Sequence, residues 1–341
     1  MAKVTMQEIS KLAGVSPATV SRALHSPHLV RKDTRERITR AMEKSDYVYN
    51  ATAGDLSRKR SSMIGVIIPT TKSLVFSTSL LAIQEAAQEN NFSIMAGSSK
   101  YDLETESALI SQFQERRPAG IILTGFLKGQ QASIKRLIRN GMPCVVIWDK
   151  LADPDLSYVG FDNFKATYAV TEYLISLRHR RIGLIIGPYS KVDRVRRRLE
   201  GFLAALKDYG LPHHPRMIIE KEPTLIDGKE AMARLMDMPE RPSAVLAASD
   251  TLAMGAMAAV RDMDLGVPEN VSIAGFDDID IAAYSNPPLT TVRVPAYEIG
   301  RLAVKVILDM AKTGDLRAQH YCLDTSLIIR KSCRKLQKNE T

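Results

Sequence analysis

A chain of 341 residues is too long for one compact domain, so two or three are expected. With 45% hydrophobic and 25% charged residues it is globular material, which excludes a disordered chain. Its apolar runs are too short to span a membrane. The formal charge of +9 is lopsided: residues 1–60 hold twelve Lys and Arg against six Asp and Glu, residues 330–341 hold five against one, and the body between is close to neutral. A basic head of this kind is an electrostatic footprint of nucleic-acid binding. Met1-Ala2-Lys3 leads straight into Thr5 and Glu8, with no apolar run that could be a secretory signal, and Cys144, Cys322 and Cys333 lack metal-ligand spacing. A cytoplasmic protein with buried free thiols, no metal and no cofactor is therefore expected.

Thr5, followed three residues later by Glu8, predicts a capping box and a helix from Met6. Met6, Ile9, Leu12 and Ala13 recur at helical spacing and are expected to face inward. Gly14 ends that pattern, where a chain leaving a helix often takes positive φ. Ser16-Pro17 restarts it with a serine N-cap and a proline at the first helical position. Val20, Ala23 and Leu24 give the second helix its inner face, while Ala18, Thr19, Ser21 and Arg22 stay outside. This is the layout of a helix-turn-helix whose second helix lies in a DNA major groove. An ordinary helical hairpin is the alternative, and the basic head argues against it. Arg22 is the candidate base contact, since a bidentate arginine–guanine pair contributes ~1–3 kcal/mol of discrimination. Pro17 and Ala18 suit thymine methyls, and Thr5, Thr19, Ser21 and Tyr47 suit phosphate. A third helix is expected over 34–44, with Ile38, Ala41 and Met42 inward and Arg35, Arg37 and Arg40 outward.

The stretch Val4-Thr5 through Ala13-Gly14-Val15-Ser16, followed by Ala18-Thr19-Val20-Ser21-Arg22, resembles the opening of the LacI/GalR (lactose and galactose repressor) family of bacterial transcription regulators. The resemblance implies a helix-turn-helix DNA-binding domain over residues 1–46. Arg31 stands where the family places a phosphate-touching serine that caps the third helix. A hinge segment over 47–60 is also implied, with Asn50 among its DNA contacts and Leu56 entering the minor groove as an apolar wedge when two copies meet on the duplex. By propensity that stretch is a poor isolated helix, interrupted by Gly54, as suits a segment that folds on binding.

From Met63 the periodicity changes. Residues 63–69 form a short apolar run, as expected for a buried parallel strand. A helix over 77–89, strand 93–96, helix 103–114, strand 120–124, helix 132–139 and strand 144–148 follow. A second series runs through helix 165–177, strand 182–186, helix 194–209, strand 217–219, helix 226–236, strand 244–248, helix 252–263 and strand 271–274. Strand 290–294, a long helix over 297–311 and a last strand around 323–329 close the chain. Such alternation predicts parallel sheets flanked by helices. Two series with a late return are similar to the two-lobed fold of periplasmic binding proteins. The expected fold class is therefore α/β: a small all-α head and a body with two parallel α/β sheets. The effector-binding and dimerisation body over 61–341 would divide into an N-lobe (about 61–161 and 290–322) and a C-lobe (about 162–289 and 323–341). Crossings are expected near Asp162, Leu289 and Cys322.

Ligands of open α/β sheets sit at the carboxyl ends of strands, here the cleft between lobes. Asp149, Asp162, Asp250 and Asp277 each follow an apolar run, and four carboxylates suit a polyhydroxylated ligand. Aspartates in such places also cap helices, a role that fits Asp250 as well. Phe76, Trp148 and Phe276 offer apolar faces to a sugar ring. The stretches Ala248-Ser249-Asp250-Thr251 and Ala274-Gly275-Phe276-Asp277-Asp278 are similar to effector-pocket stretches of the family, and Arg198-Leu199-Glu200-Gly201-Phe202 matches its effector-binding arginine. Arg194 lies one turn earlier on the same face, and two arginines in one cleft tilt the balance toward a sugar acid or sugar phosphate. Arg196 and Arg197 are expected on the solvated face, and His179, His213 and His214 at the surface.

The function expected is a homodimeric repressor of a sugar or sugar-acid catabolic operon, binding near-palindromic double-stranded operator DNA under control of a small-molecule effector. A solute-binding protein for transport would share the body but not the basic head. A doubly wound enzyme needs a phosphate-binding turn or a base–nucleophile set, and neither occurs. The tail carries no leucine heptads, so a dimer rather than a tetramer is expected.

Overall fold

The computed structural model describes residues 4–25, 29–47, 61–71 and 73–337. The chain forms two compact units, Met1–Ser62 and Met63–Thr341. In the first, α1 (Met6–Ala13), α2 (Pro17–His25) and α3 (Lys32–Lys44) enclose a small core of Ile9, Ala13, Val20, Ile38 and Ala41. The capping box forms: the Thr5 hydroxyl accepts from the Glu8 N–H, and the Glu8 carboxylate accepts from the Thr5 N–H at 2.7 Å. Gly14 takes φ +63°, and Ser16 Oγ accepts from the Thr19 N–H at 3.2 Å. Leu12, expected inside, is 65% exposed. The buried stripe of α1 runs through Ile9, Ser10 and Ala13, and Leu12 lies about 100° around the helix from Ala13. The third helix starts at Lys32, with Arg31 in the cap position making no side-chain cap bond.

The second unit opens with β1 (Met63–Ile68), α4 (Leu74–Glu89), β2 (Ser93–Ser98), α5 (Leu103–Glu115), β3 (Gly120–Thr124), α6 (Gln131–Arg139), β4 (Cys144–Ile147), β5 (Tyr158–Gly160) and α7 (Asn163–Ser176). It continues with β6 (Ile182–Ile186), α8 (Asp193–Asp208), β7 (Ile218–Glu220), α9 (Leu225–Met236), β8 (Ala244–Ala247) and α10 (Asp250–Asp262). The last elements are β9 (Ser272–Asp277), β10 (Thr290–Arg293), α11 (Ala296–Thr313), β11 (His320–Cys322) and β12 (Ser326–Ile328). They build two six-stranded sheets, ordered β11-β5-β4-β3-β1-β2 and β12-β10-β9-β8-β6-β7. All pairings are parallel except β10 with β12. Strands β3, β4, β6 and β8 are buried at every residue, as helices on both faces require.

The lobe boundaries differ from expectation in one place. Strand β10 pairs with β9, so the second crossing falls after Arg293 rather than near Leu289. The first sheet also gains an edge strand the sequence did not suggest, β11, after which the chain crosses past Cys322 and enters the second sheet as β12, inside the range expected for the last strand. Three side chains also move against expectation. His179 is buried: its Nδ1 lies 3.0 Å from Ser243 Oγ and its Nε2 lies 3.1 Å from the Arg334 carbonyl. Cys322 is exposed, while Cys144 is buried and Cys333 half-buried. The basic tail is partly spent inside the second lobe, where Arg330 Nη2 donates to Asp278 at 2.7 Å and Arg334 Nε donates to the Pro268 carbonyl at 3.1 Å. Among the described residues no helix is long and apolar enough to cross a membrane.

Candidate effector cleft and DNA-reading helix

On α2 the residues singled out for DNA form an outward face: Pro17, Ala18 and Arg22 are exposed, and Thr19 and Ser21 are half-buried. Thr5 is exposed, with its hydroxyl engaged by Glu8 at 3.0 Å, and Thr19 Oγ1 lies 2.9 Å from Ser16 Oγ. Arg31 is exposed, and Tyr47 packs half-buried against the head's core. Asn50 and Leu56 lie outside the described residues.

In the second unit the carboxyl ends of the two sheets face a cavity of about 50 Å³. Its first-lobe wall includes Phe76 on α4, Tyr101 after β2 and Trp148 after β4. Its second-lobe wall includes Arg194 and Arg198 on α8, Ser249, and Asp277 at the end of β9. The lobes are clasped at this edge: the Lys128 N–H donates to the Lys191 carbonyl at 2.9 Å, and the Asp193 N–H donates to the Phe126 carbonyl at 3.2 Å. Tyr101, Trp148 and Asp277 all hold positive φ, at 56°, 73° and 115°. Non-glycine residues adopt such values at a cost of ~1–3 kcal/mol each and tend to cluster at functional sites.

Arg198 is 6% exposed and anchored within its own lobe. Its Nε donates to Asn163 Oδ1 at 2.8 Å and its Nη1 to the Ala248 carbonyl at 2.7 Å, while its guanidinium carbon stands 3.8 Å from the Phe276 ring centre. Nη2 lies 3.9 Å from the Asp277 carboxylate. Burial lowers the Arg198 pKa to about 10, opposed by Asp277. Burial also pushes Asp277 up to about 7, against the pull of Arg198 and then Arg194. Asn163 bridges the lobes, since its Nδ2 donates to the Trp148 carbonyl at 2.9 Å and to Asp149 Oδ1 at 3.3 Å. Trp148 is anchored through Nε1 to Ser79 Oγ at 3.2 Å and meets Phe76 edge-on at 5.2 Å.

Of the nine residues expected at the ligand, five line the cavity: Phe76, Trp148, Arg194, Arg198 and Asp277. Phe276 is fully buried behind Arg198, and Asp149 is buried against Asn163 with its pKa raised by burial to about 6. Two others are not on the wall. Asp162 caps α7, accepting from the Lys165 N–H at 3.1 Å and from Lys150 Nζ at 3.1 Å. Asp250 is tied inside the second lobe to Thr291 Oγ1 at 2.6 Å and the Ile279 N–H at 2.9 Å, and Ser249 serves as the cap of α10. Sequence reasoning missed Tyr101 and the bridging role of Asn163. Both stand just past strand ends, so the rule that found Asp149 and Asp277 would have reached them.

A helix-turn-helix head and a two-lobed α/β body with a buried arginine–aspartate cleft define a ligand-responsive DNA-binding regulator. Residues 5–50 match the profile of bacterial regulatory proteins of the lacI family, and residues 171–333 match that of a periplasmic binding protein-like domain. The HTH-type transcriptional repressor CytR of Escherichia coli (strain K12) is 34% identical over 332 residues, covering 97% of each chain. Among solved structures, the lac repressor dimer bound to operator and the anti-inducer ONPF superposes with a TM-score of 0.84 at 26% identity, covering 98% of this chain and 100% of that one. A complex of the transcriptional regulator CelR with cellobiose gives 0.72 at 26% identity, covering 97% and 100%. The chain belongs to the lacI family and is a DNA-binding transcriptional repressor; its relatives are regulators, not enzymes.

Proposed function

We propose that the protein is a homodimeric, cytoplasmic repressor of a sugar or sugar-acid catabolic operon, whose effector binds between the lobes against Phe76, Trp148, Arg194, Arg198 and Asp277. The observation that carries this reading is the Arg198–Asp277 couple set beside Phe76 and Trp148 on one cavity. A donor fork next to a carboxylate suits neighbouring hydroxyls, and the rings suit the apolar face of a sugar. The cellobiose complex of a structural neighbour supports the same ligand class. The exposed apolar side chains Leu225, Ile226, Ile281 and Tyr284 support a second copy as partner, with Ile226 72% and Tyr284 87% exposed.

Residues 1–46 would read DNA through α2, with Arg22 on a base edge and Thr5, Thr19, Ser21, Arg31 and Tyr47 near phosphate. Residues 47–60 would form the hinge, with Asn50 and Leu56 at the minor groove. Two heads on one dimer would read a near-palindromic operator. Effector binding would change lobe closure and bias the heads, a coupling of ~1–3 kcal/mol. Selection of bound sites from random DNA, followed by a screen of sugars and sugar acids on the selected site, tests this. A near-palindromic site whose affinity shifts about fivefold or more with one metabolite supports it. No preference over bulk genomic DNA at moderate salt, with or without metabolite, overturns it.

A further inference from the structure

The charge on the cavity wall is not the ring of carboxylates that a neutral polyol would find. With Asp162 and Asp250 turned away and Asp149 behind the wall, the cavity surface carries two guanidinium groups, Arg194 and Arg198, and one carboxylate, Asp277. The two arginines differ in how they are spent. Arg198 is held by Asn163 and the Ala248 carbonyl inside the second lobe. Arg194 leaves α8 and reaches across to the first lobe, where it is 3% exposed and makes one hydrogen bond, a long 3.3 Å contact to the Thr124 carbonyl. Its guanidinium carbon lies 5.5 Å from the Phe76 ring centre and 5.9 Å from that of Tyr101. A guanidinium offers five N–H donors, so most of this fork is left to the rings and the cavity.

The first lobe is shaped to admit it. Gly125, directly after β3, holds φ +71°, and a Cβ there would stand 2.6 Å from Arg194 Nη1. Among the described residues Arg194 has no ion pair. Burial raises the pKa of the carboxyls within its field, Asp149 to about 6 and Glu106 and Asp277 to about 7, and none of them is ion-paired or hydrogen-bonded with it. A buried cation so weakly compensated favours an anion at its side.

We propose that the effector carries an anionic group, a carboxylate or a phosphate ester, that docks on Arg194 while its ring, which the cavity of about 50 Å³ admits only as the lobes part, lies against Phe76 and Trp148. This rests on the assignment of the cleft as the effector site. The planar fork of Arg194 meets two oxygens of such a group, which a neutral hydroxyl cannot match. Arg194 then selects the acid over the neutral sugar. Because it belongs to one lobe and lies among rings of the other, an anion bound there ties the two lobes together.

The chain's one tryptophan, Trp148, stands on the same wall, so its fluorescence reads occupancy. The full-length protein is titrated with D-glucose, D-galactose and D-mannose, with their uronates and 6-phosphates, and with inorganic phosphate and sulfate, at ionic strength held constant with chloride. Expected are a saturable response to phosphate or sulfate beyond that of chloride, and acids or esters binding about tenfold or more tighter than their neutral parents. Uronates ahead of 6-phosphates assign a carboxylate, and the reverse a phosphate ester. Arg194→Met should erase both effects, Arg194→Lys should keep part of them, and Arg196→Met, on the solvated side of α8, should leave them intact. The wild-type panel decides the matter even if Arg194→Met does not fold. Neutral sugars that bind as tightly as their acids, with Arg194→Met indifferent, overturn the proposal and leave the cleft as effector site. No response to any probe, in fluorescence or in operator affinity, overturns both.

Discussion

The head and the cleft both depend on arginine, and they differ in where the charge stands. Arg22, Arg37 and Arg40 are exposed, so water solvates them and salt screens them. Solvated, they cost little whether free or loosely paired, as Arg40 is with Glu36 at 3.9 Å, and they suit an extended polyanion whose affinity falls steeply with salt. Arg194 and Arg198 are buried, and their charge is met by the Thr124 and Ala248 carbonyls, the Asn163 amide oxygen, the rings of Phe76 and Phe276 and, for Arg198, the Asp277 carboxylate. Such a site accepts only a small partner of matching shape, and salt reaches it weakly. The same side chain thus reads a long polymer when solvated and one metabolite when enclosed.

That contrast breaks hardest at Arg198. Arg198→Ala removes the donors that satisfy Asn163 Oδ1 and the Ala248 carbonyl and leaves Asp277 buried without its cation. Removing one partner of a buried pair costs ~3–5 kcal/mol. Calorimetry should show a lower melting temperature and no effector heat, while operator titration of the folded variant stays near wild type. Lost DNA binding by a folded variant would count against the cleft assignment.

Next in size is a pH effect inside the second lobe. Burial pushes His179 down to about 4 from 6.5, so the folded chain keeps the ring neutral while the unfolded chain protonates near 6.5. Stability present above pH 6.5 is therefore lost as pH falls toward 4, by roughly 3 kcal/mol in the limit. Urea midpoints at pH 7 and 4.5 should separate for wild type more than for His179→Gln. Equal separation in the two proteins would refute a buried neutral ring.

The smallest effect sharpens the solvated side. Arg22→Ala should weaken a selected operator by ~1–3 kcal/mol, roughly fivefold to 150-fold, and random DNA far less. Equal loss on both, in parallel titrations at one salt concentration, would place Arg22 on the backbone.

Residue order alone determined the features that depend on neighbours within one helical turn or one strand. The capping box of Thr5 and Glu8, the positive φ at Gly14, the Ser16 cap and the alternation that yields two parallel sheets were all readable there. Arg198 was reached through the family resemblance alone and Asp277 through both the strand-end rule and the resemblance, and both line the cavity. Tertiary structure decided the rest. It turned Leu12 outward and His179 inward, added β11 to the edge of the first sheet, and made Asp162 a cap while Arg194 entered the first lobe. In each case the outcome hangs on which distant residue stands opposite: Ser243 for His179, Thr291 for Asp250, Gly125 for Arg194. A cap closes within four residues, whereas the burial of a polar group is set by partners tens of positions away that only folding brings into contact.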